Sequence, residues 1–85
     1  MLVVYKRRFE KEFRKLPSKI KEQFFLRLQV LFVDKFNPIL NNHSVDPTFP
    51  DCRSINVTGD YRAIFAEQDE LVVFVRIATH SELYS

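Results

Sequence analysis

The chain opens on a short apolar, β-branched run, Leu2 to Tyr5, and then changes period. A run of that kind predicts a strand. Phe9, Phe13 and Leu16 recur at helical spacing with charges between them, which predicts an amphipathic helix ending at Pro17, where the ring removes the next N–H donor. Ser18 is placed to cap a second helix, although Lys21 stands where a full capping box has Glu or Gln. In that second helix Ile20, Phe24, Leu28 and Leu31 form one stripe, and Phe25 and Phe32 widen it. Asn37 to Pro50 carries three prolines, Asn41-Asn42, His43 and Asp46, which is loop chemistry and long for a passive connector. Three strands follow: Cys52 to Val57, Tyr61 to Glu67 after a Thr58-Gly59-Asp60 turn, and Leu71 to Ala78 after Gln68-Asp69.

This order predicts a small α+β domain spanning residues 1–85, β-α-α-β-β-β, with an N-terminal strand and a helical hairpin packed on an antiparallel sheet. Side chains alternate along a strand, so Arg53 goes with Ile55, Arg62 with Ile64, and Arg76 with Phe74. Tyr61, Ala63, Phe65, Val73, Val75 and Ile77 point the other way and make the better core. The arginine face then also carries Ile55, Ile64, Val72 and Phe74, and reads as a concave surface, basic and apolar together, in need of a partner or substrate.

Composition narrows the setting. At 85 residues with nine Phe and one Gly, the chain is globular rather than disordered or repetitive. Cys52 is the sole cysteine, so no internal disulfide can form, and a reducing cytoplasm is expected; no apolar run resembles a signal peptide or reaches the length of a membrane span. The net charge of +2 hides an asymmetry: Lys6 to Arg27 holds nine Lys or Arg against three Glu, a net +6, leaving −4 for the rest. A basic helical flank would attract a polyanion without regard to sequence, though a solvated helix face accounts for it as simply. Beyond Arg27 the basic residues are Lys35, Arg53, Arg62 and Arg76, the last three in predicted strands.

The candidate chemistry concentrates in TGDYRAIF and ELVVFVRIATHSELY. Arg62 and Arg76, on neighbouring strands, can hold a phosphate; His80 can move a proton near neutral pH; Tyr84 can stack on a base; Asp60 can orient a neighbour or act as a base. Metal-independent RNA cleavage needs that set. Each residue also has a plainer role: Arg62 and Arg76 as a sheet-surface pair bridged to Asp60 or Glu67, His80 at the start of a short helix capped by Thr79 or Ser81, Asp60 as turn chemistry, Tyr84 as a tail anchor. His43 and His80 are the only histidines and no cysteine pair exists, so neither a metal site nor a cofactor is expected.

A strand, two helices and a meander carrying SINVTGDYRAIF and FVRIATHSELY resembles, over the whole chain, the RelE/ParE superfamily of bacterial type II toxins, and within it the RelE/YafQ-like mRNA interferases. The resemblance implies a ribosome-dependent endoribonuclease that cuts mRNA in the decoding site, acts as a free monomer and is neutralised by a cognate antitoxin. It assigns Arg62 and Arg76 to the scissile phosphate, Tyr84 to the substrate base, and His80, Asp60 and the loop residue His43 to proton transfer. Arg53, near where the RelE branch has strand lysines, is implied to bind substrate beside Tyr84. Asn56 stands where the YafQ-like branch has a further histidine, and Ile55 where RelE has its second lysine, so the proton-transfer set is a hybrid. Two other readings share this fold: a ParE-like gyrase poison, which needs neither His80 nor a phosphate clamp, and a degenerate toxin that only binds its antitoxin.

Overall fold

A computed structural model describes residues 1–84. One five-stranded sheet has the order β1-β5-β4-β3-β2, where β1 is Leu2–Tyr5, β2 His43–Ser44, β3 Arg53–Asn56, β4 Tyr61–Gln68 and β5 Leu71–Thr79. All neighbours are antiparallel except β1, which runs parallel to β5 in the register Leu2↔Leu71 to Tyr5↔Phe74. The sheet is therefore mixed, because the first strand returns beside the last.

Helix α1 (Arg7–Arg14) and helix α2 (Ser18–Val33) cover one face. Pro17, not Ser18, occupies the position before α2; its carbonyl accepts the N–H groups of Ile20 and Lys21, and no side chain caps the helix. The α2 stripe is narrower than expected. Phe24, Leu28 and Leu31 are buried, while Phe25 and Phe32 remain 49% and 41% exposed. Phe25 packs edge-on against Phe13 and Phe24 at the flank instead of under the sheet.

The main core joins Phe9, Phe24, Leu28, Leu31 and Leu40 to Ile55, Val57, Ala63, Phe65, Val72, Phe74 and Ile77. Phe74 lies at its centre, with ring centroids 5.1 Å from Phe24 and 5.6 Å from both Phe9 and Phe65. Such pairs each contribute about 0.5–1.5 kcal/mol beyond area burial.

Strict alternation fails in β5. Ile64 faces Arg76 but Phe65 faces Phe74, so Val75 is an extra residue, a bulge. Val72 and Phe74 are thereby in the helix-side core, and Val75 is on the other face, packed with Ile64 and Ala78. The register Ile55↔Ala63 likewise places Ile55 in the main core and Arg53, opposite Phe65, on the helix side. Arg53 is thus across the sheet from Arg62 and Arg76, contrary to the face predicted from parity.

The proline-rich segment is structured. It contains a 3-10 turn at Pro38–Leu40 and strand β2, and residues 45–52 then fold back over the second face. Val45, Cys52, Ile64, Ala78 and Leu83 form a smaller core there, flanked by Phe49, Ala66 and Val75. The expected open apolar concavity is therefore filled by the chain's own loop and by α3 (His80–Leu83). Cys52 belongs to this packing; burial, and secondarily Asp51 and Asp46, push its thiol up from the ordinary range, away from reactivity. No helix among the described residues is long and apolar enough to cross a membrane.

Candidate active site

The β3–β4 turn and the β5–α3 junction meet at one corner of the sheet. Thr58 Oγ1 accepts the N–H groups of Asp60 and Tyr61 at 3.3 and 3.1 Å, while Val57 N–H and Thr58 N–H donate to the Tyr61 carbonyl, which closes the turn. The Asp60 carbonyl in turn accepts the His80 N–H at 3.0 Å. This bond fixes the start of α3 against the turn, so residues 20 positions apart in sequence share one surface.

Four of the expected residues come together there. Arg62 folds its Nη1 over the turn, donating to the carbonyls of Thr58 (3.1 Å), Gly59 (2.9 Å) and Tyr61 (3.3 Å). It has no carboxylate partner among the described residues, so its charge is directed by carbonyl dipoles and is not neutralised. Asp60 is exposed on the turn, and its carboxylate has no hydrogen bond or ion pair among the described residues. His80 is exposed; its ring lies 4.8 Å from that of Tyr84, one helical turn on, tilted by 43°. Tyr84, 40% exposed, also meets the edge of Phe49 at 6.1 Å. Phe49, Tyr84 and His80 form a run of three rings along the rim of the corner. Phe49 was not expected from the sequence, since a single aromatic in a proline-rich loop shows no periodicity.

Thr79 caps α3 in a reciprocal box: its Oγ1 accepts the Glu82 N–H at 3.3 Å, and Glu82 Oε1 accepts the Thr79 N–H at 2.9 Å. That backbone bond first, then the Thr79 hydroxyl and the Arg76 charge, hold the Glu82 carboxyl below the usual carboxylate range.

Arg76 sits in the row next to Arg62, opposite Ile64, diagonal to Arg62 and so roughly 7–8 Å from it between Cα atoms. It is not a bare cation. Its Nη2 lies 2.9 Å from Glu12 on α1, a partly buried pair with no long-range signal in the sequence. Glu12 follows Phe9 by three positions, and that helical spacing is the one hint that it faces the sheet.

The remaining candidates lie elsewhere. His43 shares the open face through the row His43↔Ser54↔Ile64↔Arg76, but stands on the far edge strand, roughly 14 Å from Arg76 at about 4.8 Å per strand. Its Nδ1 lies 2.7 Å from the Asn41 carbonyl, an acceptor, so Nδ1 carries the proton and Nε2 is free. Arg53 donates to Asn42 Oδ1 at 2.7 Å and lies 5.6 Å from the Phe36 ring, outside the corner. Asn56, directly opposite Arg62, has a buried Oδ1 with no hydrogen-bond partner among the described residues. No cluster of His, Cys, Asp or Glu that could hold a metal ion is present among the described residues.

Residues 3–84 match the family described as ParE toxin of type II toxin-antitoxin system, parDE. The chain belongs to that toxin family. No curated protein matches it in sequence. Among solved structures it is similar to YafQ from E. coli strain BL21(DE3), with a TM-score of 0.83 at 18% identity over 98% of this chain and 97% of that one. It is similar to a chain of the RelB-RelE antitoxin-toxin complex from Methanococcus jannaschii, with a TM-score of 0.74 at 16% identity over 95% and 94%. It is also similar to a chain of the intact E. coli RelBE toxin-antitoxin complex, with a TM-score of 0.72 at 25% identity over 92% and 94%. The fold of this family member is thus the RelE-like α+β fold of the RelE/ParE superfamily.

Proposed function

We propose that this toxin is a ribosome-dependent endoribonuclease that cuts mRNA by metal-independent attack of a 2′-OH, and that it is held inactive by a cognate antitoxin. The observation that supports the reading most directly is the Asp60–His80 backbone bond. It gathers an exposed imidazole, an unpaired carboxylate, an unneutralised arginine and an exposed tyrosine at one corner. Solved structures in which similar toxins sit in complexes with DinJ or RelB support the antitoxin as partner.

In the proposed reaction a base takes the 2′-OH proton as the O2′–P bond forms, and an acid protonates O5′ as the P–O5′ bond breaks. The products are a 2′,3′-cyclic phosphate and a free 5′-OH. His80 and Asp60 are the two proton-transfer groups at the corner; Arg62, with Arg76 beside it, faces the charge that builds on the phosphorane. Tyr84 stacks on a base next to the scissile bond. His43 and Arg53 are left with roles outside this step, since neither reaches the corner.

Asp60, His80 and Tyr84 are all exposed, so among the described residues the corner presents an open surface to a substrate. A site of this shape works when another body presents the strand to it, which suits mRNA held on a ribosome in the cytoplasm and a toxin acting as a monomer. Cleavage mapping of a defined message on programmed ribosomes, with free RNA and His80→Ala protein as controls, tests this. Ribosome-dependent cuts that vanish with His80→Ala are expected; 3′-OH ends would rule out the 2′-OH route.

The name of the matched family favours a second reading, a gyrase poison. That function has no use for His80, so a supercoiling assay in which wild type and His80→Ala inhibit equally, with no cuts on ribosomes, would establish it instead.

A further inference from the structure

Arg76 is the member of the proposed phosphate site that already holds a carboxylate. Glu12 takes its Nε–H on both carboxylate oxygens at 3.0 Å and its Nη2–H at 2.9 Å, a bidentate fork. The same Oε1 accepts the Ile77 N–H at 3.1 Å. The two side chains are 15% and 22% exposed, so water screens the fork little.

The fork has a structural cause. Strand β1 stops at Tyr5, opposite Phe74, and the Lys6 N–H makes the last bond to that carbonyl. Beyond it β5 has no strand on that side, just where the bulge makes its backbone irregular, and the Ile77 N–H needs an acceptor. Glu12 supplies one from α1 and at the same time holds the guanidinium. A guanidinium has five N–H donors, of which Glu12 engages Nε–H and one on Nη2. Among the described residues no acceptor engages either Nη1 donor or the second on Nη2, which lie on the edge turned away from Glu12.

We infer that Glu12 is a positioning residue for cleavage: it fixes Arg76 so that its free Nη1 edge is already set for the scissile phosphate. This inference rests on the cleavage reading above. It divides the work between the arginines. Glu12 cancels most of the Arg76 charge, so Arg76 supplies directed hydrogen bonds, while Arg62, held only by carbonyls, supplies net charge. Without Glu12 the long Arg76 side chain must be ordered during the reaction, at a cost in rate.

Glu12→Gln is the informative variant. It keeps an acceptor for Ile77 N–H and Arg76 Nε–H but turns an amide donor toward Arg76 Nη2. Single-turnover cleavage on programmed ribosomes, measured across toxin concentration, should show a saturating rate lower by roughly 10- to 100-fold and a half-saturating concentration within about twofold of wild type. The Arg76 Nε–H resonance should shift in the same protein, and the melting temperature should hold within a few degrees. A purely structural role predicts the reverse, a lower melting temperature with an unchanged rate for the folded fraction, and would overturn the inference. Should Glu12→Gln fold poorly, a double-mutant cycle with Arg76→Lys under conditions where all variants are folded decides the matter: a Glu12→Gln penalty that disappears in the Arg76→Lys background supports positioning, and additive penalties refute it. Folded wild type that makes no cuts ends the cleavage reading itself, and this inference with it, whereas uncompromised cutting by Glu12→Gln ends the inference alone.

Discussion

The helix-side face of the sheet is closed by Phe9, Phe24, Leu28 and Leu31 from two helices, whereas the opposite face is closed by Val45, Phe49 and Cys52 from a loop and Leu83 from a single helical turn. The first face buries large aromatics completely and displays none of the corner's chemistry. The second buries small and medium side chains and leaves Asp60, Arg62, His80 and Tyr84 at its open end. Stability and the proposed chemistry thus fall on different sides of one sheet in a chain of 85 residues. Residues 45–52 close on themselves through the Val45–Cys52, Phe49–Val45 and Cys52–Phe49 backbone bonds and pack on the sheet through Val45, Phe49 and Cys52.

The division can be broken from the heavy side first. Phe74→Ala removes the ring at the centre of the main core and should cost about 3–5 kcal/mol, a large share of the roughly 5–15 kcal/mol that holds such a domain. Urea unfolding should show a large fall in midpoint or no folded state. A loss under about 1 kcal/mol would mean that the aromatic cluster is not the main source of stability. On the lighter face Leu83→Ala should cost about 2 kcal/mol, the low end for a buried leucine, because the side chain is covered by a loop that can settle into the space. Its effect on cleavage should exceed its effect on folding, since α3 carries both His80 and Tyr84. Equal proportional losses would contradict the separation.

At the open corner the balance inverts. His80→Ala removes an exposed ring that makes no hydrogen bond among the described residues, so stability should change by no more than about 0.5 kcal/mol. Cleavage should fall by roughly 100- to 10,000-fold if the imidazole transfers a proton. Arg62→Ala should cost on the order of 100-fold in rate with a modest loosening of the turn it bridges. Arg76→Ala is a poor test of chemistry, because it leaves the Glu12 carboxylate in a partly buried site with no guanidinium to hold, so a loss of folding is mixed with the loss of rate. Arg76→Lys compared by rate per folded molecule avoids that confusion.

Much of this was legible in the sequence. The helix phases, the three-strand meander and the gathering of Asp60, Arg62, His80 and Tyr84 follow from spacing, because each depends on neighbours within a turn or a hairpin. What was not legible depends on distant pairing. Nothing in LVVFVRIAT marks Val75 as the bulge, yet one extra residue moves Phe74 from the arginine side into the core. The relation between Arg53 and Arg62 depends on the length of the turn between their strands, and a register one residue different would have put both on one face. Glu12 meets Arg76 across 64 positions, and α1 can only reach β5 because β1 stops at Tyr5, a fact of tertiary pairing. Phe25 and Phe32 fit the helical stripe but exceed the width that the sheet can cover.

The smallest expected effect tests how tightly the corner is tied to the lighter face. Glu82 closes the cap that begins α3, and its carboxyl is held below the usual range by Thr79 and Arg76. A carboxyl depressed on folding stabilises the folded form above its unfolded pKa, and that contribution is lost as pH falls through the lower folded value. Acidification below the ordinary carboxylate range should therefore loosen the cap while the helix-side core persists. The Thr79 and Glu82 amides should shift in NMR spectra ahead of Phe74 and Phe24, and the Tyr84 ring should lose its contact with His80 in the same window. Glu82→Gln keeps a carbonyl for the Thr79 N–H but cannot titrate, so its amides should stay put over that range. If they moved as in wild type, the acid transition would belong to another group, and the corner would be anchored chiefly by Leu83 and by the Asp60 carbonyl.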